Sequence, residues 1–217
     1  MVSARYRIVV LISGNGSNLQ AIIDAIAKGQ ILAEIMAVIS NQPEAYGLQR
    51  ARSADIPSEV LSYADYNDRE KYDQALMNCI DRYQPDLIVL AGFMRILSDG
   101  FVNHYLGRMI NIHPSLLPKY KGLHTHRRVL QAGDSEHGAT VHFVTPELDS
   151  GPVILQGKTS VQAMETEQQL TSRIHQIEHI IYPQTITWFA QGRLGLSSNS
   201  VLLDHQPISE QDKIRFF

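Results

Sequence analysis

The chain has 217 residues, 44% hydrophobic and 19% charged, which suits one globular domain with a full apolar core. A net charge of −3 carries no basic footprint, so nucleic acid is not an expected partner. No apolar run approaches the roughly 18 residues of a membrane span, no signal-peptide pattern opens the chain, and the single cysteine excludes an internal disulfide framework. A cytoplasmic location is expected.

Tyr6 to Ile12 is a continuous apolar run of the kind buried parallel strands show. It breaks into Ser13-Gly14-Asn15-Gly16-Ser17-Asn18, and a helix is expected from Leu19 to Lys28, closed by Gly29. Glu34 to Ser40 reads as a strand, Tyr46 to Ala54 as a helix and Ser58 to Leu61 as a short strand. Asp68 to Tyr83 is an amphipathic helix with Cys79 on its apolar side, a buried structural thiol rather than a nucleophile. Asp86 to Ala91 is another buried strand. This alternation predicts an α/β fold, a Rossmann-like, mostly parallel twisted sheet with flanking helices in a single domain.

A helix near Ser98 to Tyr105 leads to Met109-Ile110-Asn111-Ile112-His113-Pro114. Strand alternation puts Asn111 and His113 on one face, and Pro114, which cannot donate to a ladder, ends the strand just after His113. Ligands of open α/β sheets bind at that carboxyl end, and an amide beside an imidazole there supplies an oxyanion donor and a general acid or base. A loop from Pro114 to Thr125 precedes a helix near His126 to Ala132, a strand from Gly138 to Thr145, a loop to Pro152 and a strand from Val153 to Val161. His142 reads as a strand residue with a local hydrogen bond. Glu165 to Gln191 is helical, with Pro183 expected to break it in two, and the tail from Leu194 reads as irregular, with weak strand signals at most.

The Gly14/Gly16 loop stands between a strand and a helix start, where backbone donors and the helix dipole make an anion site; a tight capped turn is the plain alternative. A dinucleotide fingerprint would need glycine where Leu19 stands, and Gly-Lys-Ser/Thr is absent, so a phosphate monoester fits better than a dinucleotide or a triphosphate. Asp149, in Leu148-Asp149-Ser150-Gly151-Pro152, belongs to a loop whose carboxylate would approach His113 if it folded over the sheet edge. Met94-Arg95-Ile96-Leu97 joins a cation to apolar neighbours, suiting a flat, partly apolar anion. His175-Gln176-Ile177-Glu178-His179 has the H-x-x-E-H spacing of some zinc sites, but no third ligand is specified and the apolar face of the helix accounts for the pattern, so no metal is expected.

Asn111-Ile112-His113-Pro114-Ser115-Leu116-Leu117-Pro118 followed by Leu148-Asp149-Ser150-Gly151-Pro152 resembles the 10-formyltetrahydrofolate-dependent formyltransferase family. The stretches Ile12 to Leu19, Ala91 to Leu97 and Gly122-Leu123-His124-Thr125-His126 narrow the resemblance to the branch acting on phosphoribosylglycinamide in purine (IMP) synthesis, over about residues 7–192. It implies Asn111, His113 and Asp149 as the catalytic trio, with Asp149 keeping His113 protonated while Asn111 and His113 hold a tetrahedral oxyanion. It implies Gly16, Ser17, Asn18, His175, Gln176, Ile177 and Glu178 for the ribonucleotide, with Glu178 the stronger contact and His175 a departure from relatives. Arg69, Met94, Arg95, Ile96, Leu97, Asn111, Thr145, Pro146, Glu147, Leu148 and Asp149 fall on the side of the cosubstrate 10-formyltetrahydrofolate. Residues 1–5 and 193–217 match no motif and are read as peripheral. Small-molecule substrates, no membrane, and a monomer or weak homodimer are expected. A formyltetrahydrofolate hydrolase, lacking here its regulatory domain, and a non-catalytic phosphosugar-binding module are the competing readings.

Overall fold

The structure is a computed structural model and describes residues 5–197 and 200–217; the expectation for residues 1–4 lies outside the described residues, as do 198 and 199 of the tail. The chain forms two compact units that divide between Ile110 and Asn111. No linker marks this boundary in the sequence, because it falls inside a strand.

The first unit holds β1 (Tyr6–Ile12), α1 (Ser17–Ala27), β2 (Ala33–Ser40), α2 (Tyr46–Ser53), β3 (Ser58–Val60), α3 (Arg69–Asp81), β4 (Leu87–Leu90) and α4 (Asp99–His104). Its strands run β4-β1-β2-β3, all parallel. Residues 8–12 are wholly buried, as are Val38, Ile39, Leu87 and Val89, so these strands read as unbroken apolar runs rather than alternating ones. Leu19, Ile22, Leu48, Leu76 and Ile80 supply the buried helix faces. Helix α1 starts two residues earlier than the apolar periodicity implies, because Gly16 turns the chain at φ 73° and Ser17 already enters the helix. Asp68 caps α3 by accepting from the Lys71 N–H at 2.8 Å. Cys79 is buried on α3, and burial pushes its thiol up, consistent with an inert packing role.

Strand β5 (Met109–His113) carries the chain into the second unit, which adds α5 (Thr125–Ala132), β6 (Glu136–Phe143), β7 (Val153–Ser160), α6 (Glu167–Ala190), β8 (Leu194–Ser197), β9 (Ser200–Leu203), β10 (Gln206–Pro207) and β11 (Ile214–Phe216). The order here is β5-β6-β7-β11, with β6 and β7 antiparallel and β11 parallel to β7. Helix α6 packs on β6 and β7 through Ile174, Ile177, Ile181 and Phe189, whose ring meets Phe143 edge-on at 5.7 Å.

Two expectations are corrected. Pro183 does not divide α6, which runs unbroken for 24 residues. A helical proline costs about 3 kcal/mol, but Ile181, Tyr182, Ile186, Trp188 and Phe189 bury around it, and each large apolar side chain contributes roughly 1.5–3 kcal/mol. The tail is not irregular: β8, β9 and β10 form a small antiparallel sheet, and β11 adds to the free edge of β7. The pairing partners of these short segments, rather than their own weak propensities, decide their conformation.

Candidate active site

His113 ends β5 and is 5% exposed. The turn after it is stitched down by Thr140 of β6, whose hydroxyl donates to the Ser115 carbonyl at 2.6 Å and accepts from the Leu117 N–H at 3.1 Å. Gln156 of β7 donates to the Leu117 carbonyl at 2.9 Å, and the Ser115 hydroxyl donates to the Lys119 carbonyl at 2.6 Å. The Leu117–Pro118 peptide bond is cis. Thus fixed, the turn aims the Tyr120 carbonyl at Nε2 of His113, 2.9 Å away. A carbonyl only accepts, so Nε2 carries a proton.

Nδ1 of His113 faces Oδ2 of Asp149 at 3.4 Å, with both side chains under a tenth exposed. The same Oδ2 accepts from the Gly122 N–H at 2.8 Å. The ring thus donates through Nε2 to a backbone carbonyl and meets a buried carboxylate at Nδ1. Both ring nitrogens are engaged, so direct donation to a ligand requires Nε2 to leave or share the Tyr120 carbonyl.

Asp149 occupies a turn at φ 49°, held from two sides. Lys121 donates to the Ser150 hydroxyl and pairs with Glu147 at 3.2 Å, while the Ser150 hydroxyl donates to the Leu148 carbonyl at 3.0 Å. At Gly151 a Cβ would sit 1.8 Å from the Phe143 carbonyl oxygen, so only glycine lets the loop return this close to β6. Thr145 donates to the Glu147 carbonyl at 3.4 Å, and Pro146, Glu147 and Leu148 are exposed.

Asn111 is half-buried, two residues before His113 on the same strand face. Its Nδ2 lies 3.2 Å from Nε2 of His142, whose Nδ1 donates to the Phe143 carbonyl at 2.8 Å. Burial pushes His142 below the usual histidine range, against the opposing pulls of the Phe143 carbonyl and of Asp149, whose Oδ1 lies 3.9 Å away. The structure therefore brings the expected trio together with His142, Lys121, Gly122 and the Tyr120 carbonyl. Only a local bond is legible for His142 in sequence, and the others act through backbone groups or an exposed lysine that no motif marks.

In the first unit, Gly16 caps α1 in the left-handed region, and a Cβ there would lie 2.8 Å from the Cα of Gly47. Gly47 donates its N–H to the Gly14 carbonyl at 3.1 Å. Arg50 clamps the loop, donating to the Asn15 carbonyl at 2.9 Å, to its side-chain oxygen at 3.0 Å and to Gln20 at 3.1 Å. No side chain caps α1, which leaves its first N–H groups, from Ser17 and Asn18 onward, suited to an anion. Ser13 receives the Met94 N–H at 2.7 Å and donates to Asn41 at 2.6 Å, tying this loop to the next expected stretch.

There, Met94 and Ile96 are exposed, Leu97 is buried, and the Arg95 guanidinium lies over Tyr63 at 3.3 Å. Arg69 donates to the Leu97 carbonyl. Among the described residues, Nε of Arg69 and Nε of Arg95 are buried without a hydrogen-bond partner. The exposed apolar tips of Met94 and Ile96 suit a flat, partly apolar ligand. On α6, His175 and Gln176 are exposed, Glu178 is buried, and Ile177 is a core residue whose Cγ2 packs against Gly157 of β7. The His175 and His179 rings stack with centroids 6.3 Å apart.

An α/β fold that sets an amide, an imidazole and a buried carboxylate together at a strand's carboxyl end has the parts for proton transfer and oxyanion stabilisation at a carbonyl carbon. The formyl transferase family matches residues 6–186, and the chain belongs to that family. It is 57% identical over 204 residues to a phosphoribosylglycinamide formyltransferase of Escherichia coli (strain K12), covering 94% of this chain and 96% of that one. A Haemophilus influenzae protein of the same name is 46% identical over 198 residues, covering 91% and 93%. The solved structure of a phosphoribosylglycinamide formyltransferase from Coxiella burnetii superposes with a TM-score of 0.93 at 54% identity, covering 97% of this chain and 99% of that one.

Proposed function

We propose that the protein transfers the formyl group of 10-formyltetrahydrofolate to the glycinamide amine of phosphoribosylglycinamide, a step of purine biosynthesis. The observation that carries the chemistry is the buried His113–Asp149 pair with Asn111 on the same strand face. The amine attacks the formyl carbon, and the tetrahedral adduct collapses as the amine proton passes to the departing folate nitrogen. Asn111 donates to the oxyanion through its amide. His113, charged against Asp149, stabilises the same oxygen and assists the proton, with the Tyr120 carbonyl released or shared.

The N–H groups of Gly16, Ser17 and Asn18 are suited to the ribonucleotide phosphate, supported by the lack of a side-chain cap at the start of α1. Of the α6 residues, Glu178 is the choice for the ribonucleotide; Ile177 serves packing, and exposed His175 and Gln176 would line its rim. Arg69, Met94, Arg95, Ile96 and Leu97, with the 145–149 loop, are assigned to the folate. The core of about residues 7–192 carries these functions as one formyltransferase domain, working in the cytoplasm as a monomer or weak homodimer.

The test follows tetrahydrofolate production from 10-formyltetrahydrofolate with and without glycinamide ribonucleotide. Formyl loss only with the ribonucleotide present is expected. Loss without an acceptor points to a hydrolase, and ligand binding without turnover to a sensor; either result overturns the transferase.

A further inference from the structure

Asn111 can act as an oxyanion donor only if its amide is turned the right way. Rotated by 180°, it would present an oxygen lone pair where an N–H is needed and would repel the developing charge. Nothing in the strand itself sets this rotation, since the nitrogen and oxygen ends of an amide have nearly the same shape. His142 supplies the missing constraint.

Its Nδ1 is 2.8 Å from the Phe143 carbonyl, an acceptor only, so the proton of the neutral ring sits on Nδ1. Nε2 is then a bare lone pair, 3.2 Å from Asn111 Nδ2. An amide oxygen in that place would set lone pair against lone pair. The His142 side chain is 3% exposed, so its end of this contact is shielded from water. The β6–β7 register slips by one residue at His142, leaving Ile154 extra on β7, and bulges of this kind re-aim side chains beside active sites. The Phe143 carbonyl has room because residue 151 is glycine.

We propose that His142 is a positioning residue for formyl transfer: as a neutral acceptor it takes one Asn111 amide proton, fixes the amide's rotation and leaves the second N–H for the oxyanion. The chain of constraint runs from Gly151 to the Phe143 carbonyl, to the His142 tautomer, to the Asn111 amide. It rests on the reading of Asn111 given above, so the experiment separates the two.

Turnover and Michaelis constants are measured with 10-formyltetrahydrofolate and glycinamide ribonucleotide for Asn111→Ala, His142→Phe, His142→Gln and the Asn111→Ala/His142→Phe double variant, with thermal melts as a folding control. Asn111→Ala is expected to lose about 10²–10³ in kcat. His142→Phe is expected to lose about tenfold or more in kcat, with both KM values within about twofold, because it disturbs a contact made in the transition state. His142→Gln, which keeps an acceptor oxygen near the position of Nε2, recovers most of that loss. In the Asn111→Ala background, His142→Phe adds less than about twofold, since its partner is already gone.

Full kcat in His142→Phe, or losses that multiply in the double variant, overturn the positioning role while leaving Asn111 in place. Wild-type turnover in Asn111→Ala overturns the oxyanion reading and this inference with it. If His142→Phe does not fold, His142→Gln is compared with His142→Asn, which is too short to reach Asn111; equal kcat in those two variants overturns the proposal.

Discussion

At the scale of single residues, one oxygen of Asp149 does two jobs. Oδ2 holds the Gly122 N–H at 2.8 Å and faces Nδ1 of His113 at 3.4 Å. Geometry and charge are therefore separable by substitution. In Asp149→Asn the remaining carbonyl oxygen can keep the Gly122 bond while the negative charge is lost. A hydrogen bond to a charged group contributes about 1.5–3 kcal/mol, so kcat is expected to fall by about tenfold to 150-fold with the melting temperature little changed. Steady-state kinetics beside a circular-dichroism melt checks this, and undiminished kcat would remove Asp149 from the mechanism. Much of this site was legible beforehand: the alternation of residues 109–113 and the stop at Pro114 already place Asn111 and His113 on one face at a strand end. His142 was legible only in half, because its bond to the neighbouring carbonyl is local and its bond to Asn111 spans 31 residues.

At the scale of elements, the two loops of the second unit form a latch. Lys121 reaches the Ser150 hydroxyl and Glu147, bracketing Asp149 from outside while Gly122 holds it from within. The Lys121 and Glu147 side chains are 37% and 78% exposed, so the pair is screened, and such contacts are worth about 0–1 kcal/mol. Lys121→Met is accordingly expected to lower kcat by up to about fivefold, with the difference from wild type shrinking as salt is raised, and Lys121→Arg to retain most of the activity. A salt titration of turnover for the three proteins reads this out; a Lys121→Met defect that grows with salt would contradict it. The same scale shows where local pattern misleads. Proline chemistry alone would break α6 at Pro183, but the apolar side chains buried on both sides keep it one helix. The segments after Leu194 look irregular by composition, yet Ile214 to Phe216 gain a strand conformation from the open edge of β7.

At the scale of the molecule, stability should depend on pH through a buried histidine pair. Nδ1 of His126 on α5 lies 3.0 Å from Nε2 of His137 on β6, so one ring donates to the other only while at least one of the two is neutral. Burial first, then neighbouring histidines, lower both to about 4, against about 6.5 in the unfolded chain. Between those values the unfolded state binds more protons than the folded one, so stability is full above about pH 6.5 and declines as pH falls toward 4. Urea midpoints measured at pH 7.5, 6 and 5 should fall in that order; an unchanged midpoint would show that the pair does not carry this linkage.

The sequence by itself determined the α/β class, through buried apolar runs alternating with amphipathic helices, and the family, through the Asn111-to-Pro118 stretch and the Asp149 loop. It also offered the glycine loop as a candidate anion site beside the plain reading of a tight turn, because strand, glycines and helix start are contiguous. Tertiary structure alone decided that Asp149 meets His113, that Thr140 and Gln156 stitch down the turn that engages His113, that Arg50 clamps the glycine loop, and that His142 meets the Asn111 amide. The physical reason is reach. Propensity and periodicity act over one turn or one strand, whereas a hydrogen bond between side chains about 30 residues apart exists only after the backbone has brought them within about 3.5 Å.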